Sequence, residues 1–144
     1  MMNKKIGLFW LRDDFRFTKN SGLIEATTNH DHVVVFYIYK QETYKDQEAQ
    51  KWWLSKSLLN FRKKLNDLNI TLEIIEAKSF KIFFDKLIKK KDFKIYWNKV
   101  YEPDYLKFDE YLFSILNNEN IHIKMQRYAL NEIKDIKKND GTPF

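Results

Sequence analysis

The 144-residue chain has no cysteine, which excludes a disulfide framework, thiol catalysis and cysteine-ligated zinc. Glycine is almost as scarce, with Gly7, Gly22 and Gly141 the only three. A glycine-lined pyrophosphate cradle therefore has little to be built from, and neither GxGxxG nor GxxxxGK[ST] occurs. The serine elbow GxSxG is missing as well. No apolar run approaches the roughly 18 residues a membrane span needs. The start, MMNKKIGLFWL, has too short an apolar part for a signal peptide, so a cytoplasmic location is expected. His30, His32 and His122 show no metal-ligand spacing, and no metal is expected.

What is present is apolar and aromatic. Hydrophobic residues make up 44% of the chain and aromatics 17%, enough to bury a core in one domain covering residues 1–144. The net charge of +6 permits nucleic-acid contact. Most of the basic residues are lysines spread along the chain, with short clusters such as Lys89-Lys90-Lys91, which suits a solvated surface equally well.

Strand-like and helix-like segments alternate. Strands are expected over 6–11, 33–39, 70–77, 93–98 and 121–125, and helices over roughly 21–29, 47–68, 79–91 and 103–118. Asn20-Ser21 and Ser79 read as N-caps, and Pro103 as a first-turn proline. Leu54, Leu58, Phe61, Leu65 and Leu68 form one helical stripe. A short turn of helix, LNEIKDI, and a turn at Asp140-Gly141 close the chain. Five strands separated by four helices predict an α/β fold, a doubly wound, Rossmann-like five-stranded parallel sheet with helices on both faces. Ligands of such folds sit beyond the carboxyl ends of the strands.

Two segments stand at that edge. Trp10-Leu11-Arg12 follows the first strand, and Trp97-Asn98-Lys99-Val100-Tyr101-Glu102 ends and follows the fourth; Tyr37 to Tyr39 close the second strand nearby. Rings beside an arginine and a glutamate suit a planar, partly polar ligand. The same residues also suit simple packing, with Arg12 paired to a neighbouring carboxylate. On the long helix, Trp52 and Leu59 share a face nearly opposite the core stripe, which marks a second contact surface.

LFWLRDDFRFTKNSGLIEA, VVVFYIY, WWLSKSLLNFRKKLNDLNI, YWNKVYEPD and the closing KKNDGTPF occur in the order found in the photolyase/cryptochrome family. From beginning to end the chain resembles the N-terminal, antenna-chromophore-binding α/β domain of that family. The family's opening motif, a strand followed by approximately R-x-D-L-R-x-x-D-N, stands here as Arg12-Asp13-Asp14-Phe15-Arg16 with Lys19-Asn20. The resemblance implies that this loop walls an antenna pocket and does not grip a phosphate. Trp10, Leu11, Arg12, Tyr37, Tyr39, Lys51, Glu102 and Tyr105 are then the candidate chromophore contacts, and Asp14 and Arg16 the candidate structural ion-pair formers. Trp52 and Leu59 become a candidate interdomain contact.

Family members continue past the DG-x-P-[FY] turn into a larger helical domain holding FAD, the electron-transfer tryptophans and most of the DNA-binding surface. Because this chain stops at Phe144, it is expected to be the antenna domain of a longer deoxyribodipyrimidine photolyase, a carbon–carbon lyase, with no catalytic residue of its own. Its expected partners are the FAD-binding helical domain of the same parent and, through it, damaged DNA. A cryptochrome using the domain for blue-light signalling, or a stand-alone ligand-binding or interaction protein on the same sheet, are the alternatives. Folate-binding members carry a histidine after the second strand and a glutamate early in the fourth helix. Here the loop is KQETYKD (40–46), and Tyr105 stands where that glutamate aligns. The resemblance therefore implies a deazaflavin or FMN over methenyltetrahydrofolate, or an empty pocket.

Overall fold

The computed structural model describes residues 6–90 and 93–116 in full and the backbone of 122–126. Five strands form one parallel sheet: β1 (Ile6–Trp10), β2 (Val33–Tyr39), β3 (Thr71–Glu76), β4 (Phe93–Asn98) and β5 (His122–Gln126). Their spatial order is β3-β2-β1-β4-β5. All four pairings are parallel, with Phe9 opposite Val35 on one side of β1 and Tyr96 on the other. The five-stranded, doubly wound architecture expected from the sequence is thus present. LNEIKDI and the Asp140-Gly141 turn lie outside the described residues.

Among the described residues four helices cover the two faces: α1 (Ser21–Asn29), α2 (Glu48–Asn66), α3 (Phe80–Leu87) and α4 (Pro103–Ile115). Leu23 and Ala26 of α1 and the α2 stripe Leu54, Leu58, Phe61 and Leu65 pack on Phe9, Val35, Tyr37 and Tyr96. Phe84 of α3 and Leu112 of α4 pack on the opposite face with Trp10, Phe36, Ile95 and Trp97. Alternate residues of one strand feed alternate cores, as the two-residue period of a strand requires, and this accounts for the unbroken apolar run of β2.

The helix ends are written in local chemistry. Asn20 caps α1 by accepting from the Leu23 amide, and Ser79 caps α3 by accepting from Ile82. The long helix stops at Asn66, short of the expected residue 68, because Asn69 takes the left-handed conformation (φ 59°). The Ile70 amide then turns back to the Leu65 carbonyl. Leu68, read as part of the core stripe, is left exposed by that turn. Helix α3 tightens at its end, where the Lys89 and Lys90 amides donate to carbonyls three positions back, so these two lysines lie beyond the α-helix. A short 3-10 turn, Gln41–Tyr44, was not anticipated; it folds the β2–α2 connection over the carboxyl edge of the sheet.

Candidate functional site at the carboxyl edge

Strands β1 and β4 lie side by side, yet their connections leave in opposite senses, to α1 on one face and α4 on the other. This is the switch point at which doubly wound sheets bind ligands. In nucleotide-binding members of the architecture, the first helix N-terminus there receives a phosphate. Here it is already satisfied from within. The Gly22 amide donates to Asn98 Oδ1 at 2.8 Å and the Leu23 amide to Asn20 Oδ1 at 3.1 Å. The two asparagines also bond each other, Asn98 Nδ2 to Asn20 Oδ1 at 2.7 Å, and both are buried.

Arg12 completes this brace. Its guanidinium donates to Asp109 Oδ1 at 2.7 Å and to the Asn98 carbonyl at 2.6 Å, and the side chains of the ion pair are 1% and 4% exposed. The faces of Trp10 and Tyr105 lie 4.9 and 4.7 Å from the charge, a cation–π environment. Burial pushes the Arg12 pKa down and the Asp109 pKa up, and in each case the partner's charge opposes the shift. Asp109 carries no recognisable motif in the sequence; its place on the inner face of α4, seven residues after Glu102, was the signal available.

The predicted contacts therefore divide. Trp10 is 1% exposed and makes ring contacts with Phe36, Phe80, Phe84, Trp97, Tyr105 and Phe108. Leu11 is wholly buried in the other core. These two and Arg12 stand behind the edge as packing and brace, the plainer of the two roles open to them, because the β1 ladder continues one bond further, from the Leu11 amide to the Phe36 carbonyl. Lys51 pairs with Glu48 at 3.7 Å. Asp14 accepts from the backbone amide of Arg16 at 3.1 Å, which braces the loop.

Tyr37, Tyr39, Glu102 and Tyr105 do converge, around a residue the sequence reading passed over. Asp13 accepts from the Tyr105 hydroxyl at 3.2 Å and from the Tyr37 hydroxyl at 3.4 Å. Tyr37 in turn shares a hydrogen bond with Tyr44, whose ring stacks on Tyr39. Burial, more than any hydrogen bond or charge, raises the pKa of Tyr37 and Tyr105, so both stay protonated well past ordinary phenol ionisation.

Asp13 and Tyr44 line two adjoining spaces. One, of about 130 Å³, is bounded by Tyr37, Lys40, Thr43, Glu102, Asp104 and Tyr105 among others. The second, of about 450 Å³, is walled by Phe15, Gln50, Trp53, Leu54 and Ser57. From α2 the wall thus takes Trp53 and Gln50. Trp52 and Leu59, 65% and 49% exposed, point away from it, as their helical position predicts. A larger space of about 550 Å³ lies on the α3 face among Ile6, Leu8, Val34, Phe36 and Phe83; among the described residues its charged lining groups are Glu73 and Lys90. Among the described residues no cluster of His, Asp and Glu could hold a metal ion, and no helix is long and apolar enough to cross a membrane.

A parallel 3-2-1-4-5 sheet with an internally capped first helix and a ring-walled groove at its switch point defines a Rossmann-like domain. The chain belongs to the DNA photolyase family, whose family model matches residues 7–144. Its fold is similar to that of a bacterial class III photolyase from Agrobacterium tumefaciens, with a TM-score of 0.71 and 21% identity over 88% of this chain. The chain spans about a quarter of that protein's length, 26%. No curated protein sequence matches it.

Proposed function

We propose that this domain holds an antenna chromophore for a deoxyribodipyrimidine photolyase and thereby supports light-driven repair of pyrimidine dimers. Family membership across residues 7–144 carries the proposal, and the groove around Asp13 and Tyr44 supplies the site. The 450 Å³ space falls within the several hundred Å³ that small-molecule sites typically occupy. Phe15, Tyr44 and Trp53 offer ring faces to a planar molecule there, while Tyr37, Glu102 and Tyr105 offer polar groups in the adjoining space. A deazaflavin or flavin ring suits that division better than methenyltetrahydrofolate.

The domain's own task is to bind and orient the antenna ring and keep water from its buried face. When bound, the antenna supplies absorption and energy transfer; electron donation to a flipped-out dimer belongs to reduced FAD on the helical domain of the parent. The exposed Trp52, with Lys56 Nζ 5.4 Å from its ring centre, and Leu59 form the surface on which that domain docks. Chromophore binding tests the assignment. Trp53→Ala and Tyr44→Ala are expected to weaken loading of the antenna at least about tenfold, the scale of one stacking contact, with the melting temperature little changed. Loading unaffected by both substitutions would remove the groove from consideration.

A further inference from the structure

We infer that the groove selects a ring bearing a neutral, hydroxyl- or amine-rich substituent and rejects the same ring carrying a phosphate. The inference rests on the antenna reading and deepens it. Two separate features of the edge carry it.

The first is the closure of the usual phosphate site. An anion bound at this switch point would be held by the free amides at the N-terminus of α1. The Gly22 and Leu23 amides are committed to Asn98 and Asn20, and the two asparagine side chains are bonded to each other. The terminal nitrogens of Arg12 are likewise paired with Asp109 and the Asn98 carbonyl, and its Nε, which has no partner, is buried with them. Freeing any of these donors would break a buried hydrogen bond.

The second is the lining of the 130 Å³ space. Among its described lining residues Asp13, Glu102 and Asp104 outnumber a single cation, Lys40, in a protein whose net charge is +6. Lys40 Nζ sits 4.0 Å from the Phe80 ring centre. Carboxylates accept hydrogen bonds and cannot donate them when ionised, so they pair with hydroxyl and amine groups and repel phosphate. The space is too small for a tricyclic ring but suits a polar side chain whose ring occupies the adjoining 450 Å³. Asp13 and Tyr44, common to both, mark where the ring ends and the substituent begins.

Riboflavin and FMN share a ring and a ribityl chain and differ by one phosphate. Their affinities for the purified 144-residue chain are measured by quenching of ring fluorescence, at low and at high salt. Riboflavin is expected to bind at least about tenfold more tightly at low salt, from like-charge repulsion at contact range, and added salt should narrow the gap. The double substitution Glu102→Gln, Asp104→Asn should narrow it also, mainly by improving FMN binding. Equal binding, or tighter binding of FMN, overturns the inference while leaving the antenna reading intact. Binding of neither ring overturns both.

Discussion

Trp10 and Glu102, both candidate chromophore contacts from the sequence, differ in burial: Trp10 is 1% exposed and Glu102 is exposed. Trp10→Ala is expected to cost about 3–5 kcal/mol, because a fully buried ring touching six others leaves a cavity that cannot collapse. Glu102→Ala, at an exposed helix start, should leave urea unfolding within about 0.5 kcal/mol. Asp109→Ala strands the Arg12 charge in a low-dielectric pocket and is expected to destabilise by about 3–5 kcal/mol. Chemical denaturation of the three variants checks these values; a mild Asp109 variant would mean that water reaches Arg12. The sequence left both roles open, ligand contact or packing with Arg12 paired to a carboxylate. The sequence placed Trp10 and Arg12 correctly at the end of β1, but whether a ring faces a ligand or a helix depends on α3 and α4, which pack from far along the chain.

Among the elements, β1 carries an unexpected constraint. A Cβ on Gly7 would lie 2.8 Å from the His30 ring, and that ring is held by the Tyr96 hydroxyl 2.9 Å from its Nε2. Gly7→Ala is therefore expected to destabilise by about 1–3 kcal/mol through overpacking, read as a fall in the urea midpoint at constant slope. His30, which the sequence offered only as an improbable metal ligand, is part of this packing. The long helix shows the reverse case, where periodicity told nearly everything. Leu65→Ala on its buried face should cost about 2–5 kcal/mol, whereas Leu59→Ala on its exposed face should be near neutral in the isolated chain. A large stability loss from Leu59→Ala would show that this face is covered within the domain and is not a docking surface. Only the helix's last turn escaped the pattern, because a left-handed Asn69 has no hydrophobic signature.

For the molecule as a whole, alkaline pH is the sharpest probe. Tyr37 and Tyr105 have pKa values raised above the phenol value of 10.0, chiefly by burial. The unfolded chain ionises first, so their contribution is complete below about pH 10 and is lost as pH climbs beyond it. Stability should fall by up to about 1.4 kcal/mol per pH unit for each of the two hidden tyrosines. Phenolate absorbance should then lag for part of the tyrosine complement until the domain unfolds; a single smooth titration near pH 10 for every tyrosine would contradict the burial of the Asp13 cluster.

The order and type of the elements, the two cores and the carboxyl-edge location were all set by local information: the two-residue period of strands, the helical leucine stripe, asparagine, serine and proline at helix starts, and a scarcity of glycine that leaves little for a phosphate cradle. Which residues form the groove was decided only on folding. Asp13 reaches Tyr37 and Tyr105, 24 and 92 positions away, and Tyr44 comes over the edge on a 3-10 turn that no apolar period announces. Hydrophobic patterning specifies which face of an element is buried, not which distant side chain it meets, and at a switch point between crossovers every wall of the site comes from a different stretch of chain.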